Sequence, residues 1–309
     1  MFRPRTSRVL LVGMVAVVTS VAVILWSVPS SSDSRRPRLP SAAPTSPPTV
    51  ASVVEPRAQV PVAPPVSAQQ LVAAAESVAG PRMTLGTAVL DLHTGELAVG
   101  RGGEREFMSA SLSKLIVAVD VFDRHRAEGR PLDPADLDLI GRALSDSDDN
   151  AMNVLWGKYD GAGAIGRVAD RLGLTASLPS GSTETWGDTV VTAADMVAVY
   201  RHVLRDMAPK DGAVIVGALS GASAVAADGF WQHYGLLYDG ASPRRYAKQA
   251  WVPYAPAGFL LHSTGVAYDG RTGHTYAIAL LSIQPHSSDQ AARDRLSTIA
   301  AAAMAALTA

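Results

Sequence analysis

No cysteine occurs among the 309 residues. That absence excludes thiol catalysis, disulfide bridges, thiolate zinc sites and a lipidated N-terminal cysteine together. An excess of charge of either sign is also missing, since 27 Lys and Arg stand against 28 Asp and Glu for a formal net charge of -1. Without a Lys/Arg block in the main body, the electrostatic footprint that phosphate binding needs is lacking, and no nucleic-acid partner is expected. Seven histidines are present, yet no two stand at a helical metal-ligand spacing such as HExxH.

The N-terminus is the one place with a long apolar run. MFRPRTSR is basic, and VLLVGMVAVVTSVAVILWSV, Val9 to Val28, follows without a charge. Twenty residues at ~1.5 Å each reach about 30 Å, enough to cross a bilayer. We read residues 1–28 as an uncleaved signal-anchor; a cleaved signal peptide is the alternative, because Ser30 and Ser32 follow, although no clear AxA site does. Arg3, Arg5 and Arg8 are opposed by Arg35, Arg36 and Arg38, so loop charge does not orient the segment. On either reading the body lies outside the cytoplasm, anchored in the membrane by its N-terminus or secreted. Residues 29–66 hold half of the 20 prolines among Ser, Thr, Ala and Val and form a semi-rigid spacer.

The folded body is expected over residues 67–309. SAQQ at Ser67 gives a capping-box start, and LVAAAESVAG a short helix closed by Gly80. MTLGTAVLDLHTGELAVG alternates around Thr94-Gly95 and reads as a hairpin. Helical patterns then dominate residues 110 to about 205, including a helix with Asp133 as cap and Pro134 at its first position. RRYAKQAWV, GFLLHSTGVAYD and HTYAIALLSI are β-rich runs, followed by an Ala-rich helix with a Ser287–Gln290 capping box. This order predicts an α+β fold: one antiparallel five-stranded sheet built from both chain ends, terminal helices on one face and an inserted all-helical domain.

FMSASLSKLIVAVD, residues 107–120, sets Ser111 and Lys114 three apart. On a helix such residues share a face, so Oγ and Nζ can meet. Serine is a poor nucleophile, and lysine serves as its base only if its pKa falls from ~10.4 toward 7, which needs burial or a nearby cation. Leu112, Leu115, Ile116, Val117 and Val119 make the helix apolar nearly all round, which supplies the burial. The Ser111 N–H at a helix start is free to hold an oxyanion. Read alone, SxxK is also compatible with the ordinary start of a buried helix.

ALSDSDDNAMNVLW, residues 143–156, follows. With it the chain resembles the serine β-lactamase and penicillin-binding DD-peptidase superfamily, closest in layout to class A β-lactamases, over Ser67 to Ala309. That family combines SxxK, an SDN-type loop and a KTG-type strand around one cleft. The stretch between the first two motifs is shorter here than is usual in class A. Aligning Ser147-Asp148-Asp149 with SDN keeps Asn153 at the family's downstream position; aligning Asp148-Asp149-Asn150 loses the serine. On the first alignment the resemblance makes Ser147 a proton shuttle and replaces the substrate-binding asparagine by Asp149. An ionised carboxylate there cannot donate a hydrogen bond and favours the ammonium form of Lys114, opposing its role as base.

HSTG, residues 262–265, imitates KTG but falls on the second of the three C-terminal strands, whereas the family's motif lies on the first. There the resemblance selects Lys248 as the positive field for a substrate carboxylate, Gln249 beside it, and the Trp251 N–H as second oxyanion donor. Gln249 and Ala250 depart from Thr/Ser and Gly. Class A enzymes also place a glutamate followed by an asparagine in a loop that activates the deacylating water; SLPSGSTETWGDTVVTAADM offers only Glu184, without the asparagine. Efficient antibiotic hydrolysis is therefore not expected.

GAGAIG, Gly161 to Gly166, matches GxGxxG but follows a helical pattern in a body without βαβ repeats, so its glycines are assigned to a helix-to-helix turn. Asp133, Asp136 and Asp138, and Asp146, Asp148 and Asp149, lack EF-hand spacing and are assigned to helix starts. The resemblance implies an extracytoplasmic, monomeric serine acyl-transfer hydrolase, with Ser111, Lys114, Ser147 and Lys248 catalytic and Asp149, Gln249 and Trp251 contacting substrate. Its substrate would be a β-lactam or a D-Ala-D-Ala-like peptidoglycan stem peptide, and neither a metal nor an organic cofactor is required. The altered motifs motivate the alternative of a catalytically degenerate envelope binding or scaffold module.

Overall fold

The computed structural model describes residues 64–175 and 185–308, which belong to one compact unit. The expected anchor Val9–Val28, most of the spacer and Glu184 lie outside the described residues. Among the described residues no helix is long and apolar enough to cross a membrane.

Five strands form one antiparallel sheet: β1 (Thr84–Asp91), β2 (Leu97–Val99), β5 (Arg245–Ala255), β6 (Gly258–Tyr268) and β7 (Thr275–Gln284), in the order β2-β1-β7-β6-β5. The two chain ends thus meet at the β1–β7 pairing, which runs from Thr84 opposite Ile283 to Asp91 opposite Tyr276. Gly95 has φ 80° at the β1–β2 turn, a conformation only glycine adopts freely. β5 is an edge strand.

Side chains alternate across the sheet and feed two separate cores. Val89, Ala247, Leu261, Ile278 and Leu280 pack with α1 (Ala68–Ser77) and α8 (Asp289–Thr308) on one face. Ala88, Leu90, Tyr246, Ala250, Ala277 and Ala279 face the helices of the other layer. These are α2 (Ser113–Ala127), α3 (Pro134–Ser145), α4 (Asp149–Lys158), α5 (Gly161–Leu172), α6 (Ala193–Arg201) and α7 (Pro209–Ser220). The helical insertion therefore continues through α7, past the 205 boundary expected from sequence.

The central helix α2 is buried from Ser113 to Phe122. Its one buried acid in that stretch, Asp120, is held in a fork by Arg167 on α5, at 3.0 and 2.7 Å. A carboxylate inside this buried helix is tolerated because a bidentate partner satisfies it.

Helix caps follow the sequence closely, with instructive exceptions. Ser67 and Gln70 form the reciprocal capping box of α1, but that helix ends at Ser77 rather than at Gly80. Asp133 caps α3 through the Ala135 N–H. In α8 the N–H of Ala291 bonds to Ser288 Oγ, so the cap is Ser288 and not Ser287. The GAGAIG glycines lie inside α5 rather than in a turn; the turn is Asp160, at φ 50°, whose carboxylate caps Gly163.

A two-stranded ribbon, β3 (Phe107–Met108) with β4 (Val190–Val191), was not anticipated. It fastens the segment before Ser111 to the segment that begins at Thr185, reinforced by Ser109 N–H to Thr189 O at 2.7 Å.

Candidate active site

Ser111 stands in a single 3-10 turn, Ala110–Leu112, that runs directly into α2 and packs against β5. Ala110 has φ 45° and Ser147 has φ 53°, two of three non-glycine residues in the left-handed region among the described residues. Each such residue costs on the order of 1–2 kcal/mol, and both flank the same cluster of side chains.

Lys114, one turn below Ser111 on α2, sends Nζ to within 2.9 Å of Ser111 Oγ, 2.7 Å of Ser147 O and 2.6 Å of Asp149 Oδ1, with Ser147 Oγ at 3.3 Å. Ser147 lies in the loop between α3 and α4, and Asp148 caps α4 through the N–H groups of Asn150 and Ala151. Lys248 comes from the edge strand β5 and donates to Ser147 Oγ at 2.8 Å and to Gln249 O at 2.9 Å. The structure thus brings together all four residues selected as catalytic, from three elements. One hydroxyl, Ser147 Oγ, stands between the two lysines.

The electrostatics follow from burial. Lys114 is about 1% exposed and Lys248 fully buried. Loss of solvent pulls the Lys114 pKa below its ordinary value, against the opposing attraction of Asp149. Burial, with Lys114 nearby, pulls Lys248 well down. Asp149 therefore opposes the neutral form of Lys114 as expected, but burial outweighs it.

That balance gives Asp149 a second consequence. A neutral amine has two N–H groups and one lone pair. If the N–H groups take the two shortest contacts, to Asp149 and the Ser147 carbonyl, the lone pair is left facing Ser111 Oγ. The carboxylate orients the base that it electrostatically opposes.

The expected contacts of Gln249 are not what the structure shows. Strand alternation sends Lys248 and Ala250 toward the helical layer but Gln249 and Trp251 toward the other face. Gln249 is 1% exposed, and its amide donates to the carbonyls of Gln232 and Tyr234, at 3.0 and 2.5 Å. It is a strut between β5 and the segment before it, with its NH2 group spent on those carbonyls and its Oε1 buried without a partner. Ala250 is likewise buried in the helical core, so its methyl does not stand in an open cleft. The Trp251 indole stacks on Phe230, with ring centroids 4.6 Å apart, and donates to Asp228 at 3.0 Å.

His262 lies on the second C-terminal strand, as counted. Its Nδ1 accepts from the Ser282 N–H at 3.1 Å, so its proton sits on Nε2, 3.0 Å from Met108 O. It ties β6 and β7 to the ribbon before the Ser111 turn. The last glycine of HSTG is a packing requirement: a Cβ at Gly265 would lie 2.2 Å from Tyr246 O on β5. Burial pulls the His262 pKa from 6.5 to about 4. Between those values the unfolded chain binds the proton and the fold does not, so stability falls as pH drops through that window. The loss should reach roughly 3 kcal/mol. Urea unfolding at pH 6.5 and pH 4.5 should show most of this difference in the wild type and little of it in His262→Gln.

Trp186 was missed from sequence. It opens a short 3-10 turn packed on the Ser111 turn. Its ring lies 4.4 Å from Lys114 Nζ, and its indole N–H donates to Asn153 Oδ1 at 2.8 Å. The ring face therefore packs over Lys114 Nζ beside its hydrogen bonds. No motif marks this residue; the only available signal was a tryptophan within reach of the expected deacylation loop. The aspartates of the two acidic groups are likewise spent locally, as Asp136 holds Lys158 and Tyr159, Asp138 holds Arg142, and Asp146 holds Ser223. No group that could hold a metal ion occurs among the described residues.

No protein-family model matches the chain. A protein of Mycobacterium tuberculosis, named "Putative lipoprotein LppW", is 32% identical over 225 residues, covering 71% of this chain and 69% of that protein. The Mycobacterium bovis protein of the same name matches to the same extent. Among solved structures, a β-lactamase from Sphaerobacter thermophilus superposes with a TM-score of 0.59 at 18% identity, over 79% of this chain and 98% of that one. A class A β-lactamase from Mycobacterium abscessus gives a TM-score of 0.59 at 14% identity, over 79% and 100% of the two chains. The penicillin-binding protein PBP-A gives 0.61 at 14%, over 80% and 99%.

Proposed function

Because this chain belongs to the family of the mycobacterial protein LppW and carries the fold of serine β-lactamases and penicillin-binding proteins, we propose that it is a serine acyl-transfer enzyme of the cell envelope. Ser111 attacks the carbonyl of a β-lactam or of a D-Ala-D-Ala-like peptide of the peptidoglycan stem. The observation that carries the reading is the 2.9 Å contact between Ser111 Oγ and a lysine that burial drives toward its neutral form.

Lys114 takes the Ser111 proton as the Oγ–carbonyl bond forms, and the new ammonium is paired with Asp149. The backbone N–H groups of Ser111 and Trp251 receive the oxyanion. Ser147 Oγ already accepts from Lys248, so its own proton is free for the leaving group, and Lys114 replaces that proton across 3.3 Å. Lys248, fully buried and with its pKa pulled well down, holds the Ser147 hydroxyl in place. Trp186 leaves Lys114 poorly placed to activate water, so the acyl-enzyme should be long-lived rather than rapidly cleared.

An extracytoplasmic site accords with the lipoprotein name of the relative and with the apolar segment Val9–Val28. This chain has no cysteine to carry a lipid, so that segment would hold it at the membrane.

The test is labelling of the purified protein by a fluorescent penicillin, followed by mass measurement of the intact chain and its peptides. A stable adduct on Ser111, absent from Ser111→Ala, is the expected result. Ser111 is only 8% exposed, an observation that favours a second reading, a non-catalytic binding module of the same fold. Absence of an adduct with penicillins and thioesters alike would leave that second reading in place.

A further inference from the structure

Asp149 occupies the place where the resemblance leads one to expect an asparagine that donates to the substrate. Its side chain is 58% exposed, while Lys114 beside it is wholly covered. Oδ1 is taken by Lys114 at 2.6 Å, and among the described residues Oδ2 has no hydrogen-bond partner. The site therefore turns one carboxylate oxygen outward, two hydrogen bonds from the nucleophile. A second carboxylate, Asp228, is fixed by the Phe230 N–H and the Trp251 indole, and it adds to the negative potential acting on both lysines.

A carboxylate can only accept. Where the substituent beside the scissile carbonyl reaches Asp149, an acylated amine would bring an amide oxygen to it in place of an ammonium. Acceptor then meets acceptor, and neither oxygen finds a donor in the other. A free amino group in the same place donates to Oδ2 instead. Its positive charge also offsets the pull of Asp149 on Lys114 and so favours the neutral base.

We propose that Asp149 makes this site selective for acyl donors bearing an unblocked amino group next to the scissile carbonyl, such as D-aminoacyl esters or thioesters, over their N-acylated counterparts. The inference rests on Ser111 being the acylated residue and narrows the donors proposed for it, since acylamino penicillins and stem peptides carry a blocked amine and fall among the slower ones. With a thioester, the Ser111 Oγ–carbon bond forms and the carbon–sulfur bond breaks. The Ser111 proton passes to Lys114, and the thiolate leaves with its electron pair and is protonated by Ser147 or by solvent. The substrate's ammonium remains on Asp149 throughout and takes no part in the bond changes.

The probes are the thioester of D-alanine with thioglycolate and its N-acetyl derivative, which share one leaving group and one carboxylate. Rates of Ser111 acylation are read by intact mass. Wild type should react with the free amine about 10- to 100-fold faster than with the N-acetyl compound, the discrimination typical of a mispaired polar group. Asp149→Asn, which restores a donor, should invert the preference, and Asp149→Ala should level it. Equal rates in wild type, or a ratio unchanged in both variants, would overturn the inference while leaving Ser111 acylation standing. If neither thioester nor a penicillin acylates Ser111 in any variant, the assignment of Ser111 falls and the inference falls with it.

Discussion

Replacing Lys114 with methionine is expected to slow acylation of Ser111 by ~10²- to 10⁴-fold, the range for removing a positioned general base. Methionine keeps an unbranched side chain of similar length but has no basic nitrogen to take the proton. The measurement is the second-order rate of adduct formation with a penicillin. A loss below tenfold would remove Lys114 from the role of base. The same variant carries a thermodynamic signature. In the fold both lysines are held below their unfolded value near 10.5. The unfolded chain therefore binds more protons in that window, and stability rises with pH through it, up to about 10.5. Wild-type stability should accordingly increase from pH 7 to pH 9.5, and Lys114→Met should lose part of that slope. Asp149 is left without its partner, yet it is largely exposed, so water replaces the lysine at small cost.

This slope bears on the choice between enzyme and binding module. Two lysines buried on either side of a single hydroxyl are a poor structural device, since apolar side chains of similar volume are often as stable or more so. Their arrangement is useful when one must surrender its proton and the other must hold a shared hydroxyl in place. A module that only binds has no such need.

Several parts of this site were legible in the sequence for plain physical reasons. A serine and lysine three apart on an apolar helix can only meet on one buried face, and the capping box at Ser67 and the Asp133-Pro134 pair dictate where helices begin. The β5 lysine was found by counting strands, which also set His262 aside; its neutral, doubly bonded imidazole accounts for that residue as a tie between strands. Gln249 could have been placed better from the same reasoning. Alternation along β5 puts it opposite Lys248, whatever motif it seems to complete. Trp186 could not have been found this way, because its contact with Lys114 depends on a two-residue ribbon, Phe107–Met108 with Val190–Val191, too short to leave a periodic pattern. The outward oxygen of Asp149 was half legible: the missing donor was visible in the sequence, but its pairing with Lys114 and its exposure required the fold.

Ser147→Ala separates proton delivery from nucleophilic attack. Ser147 Oγ is the atom through which both lysines act on the leaving group, at 2.8 and 3.3 Å. A β-lactam nitrogen leaves as a strongly basic amide anion unless it is protonated, so loss of this hydroxyl should slow acylation by penicillins by ~10²- to 10³-fold. A thiolate is a stable leaving group and needs no proton in the transition state. Acylation by a D-alanyl thioester should therefore fall less than about tenfold in the same variant. The Ser147 main-chain carbonyl, which holds Lys114 at 2.7 Å, is retained, so the base keeps one of its two orienting contacts and Asp149 supplies the other. Parallel rate measurements with the two classes of acyl donor give the result directly. Equal losses on both would mean that Ser147 holds Lys114 in place rather than handing on a proton, and the relay from Lys114 through Ser147 would have to be abandoned.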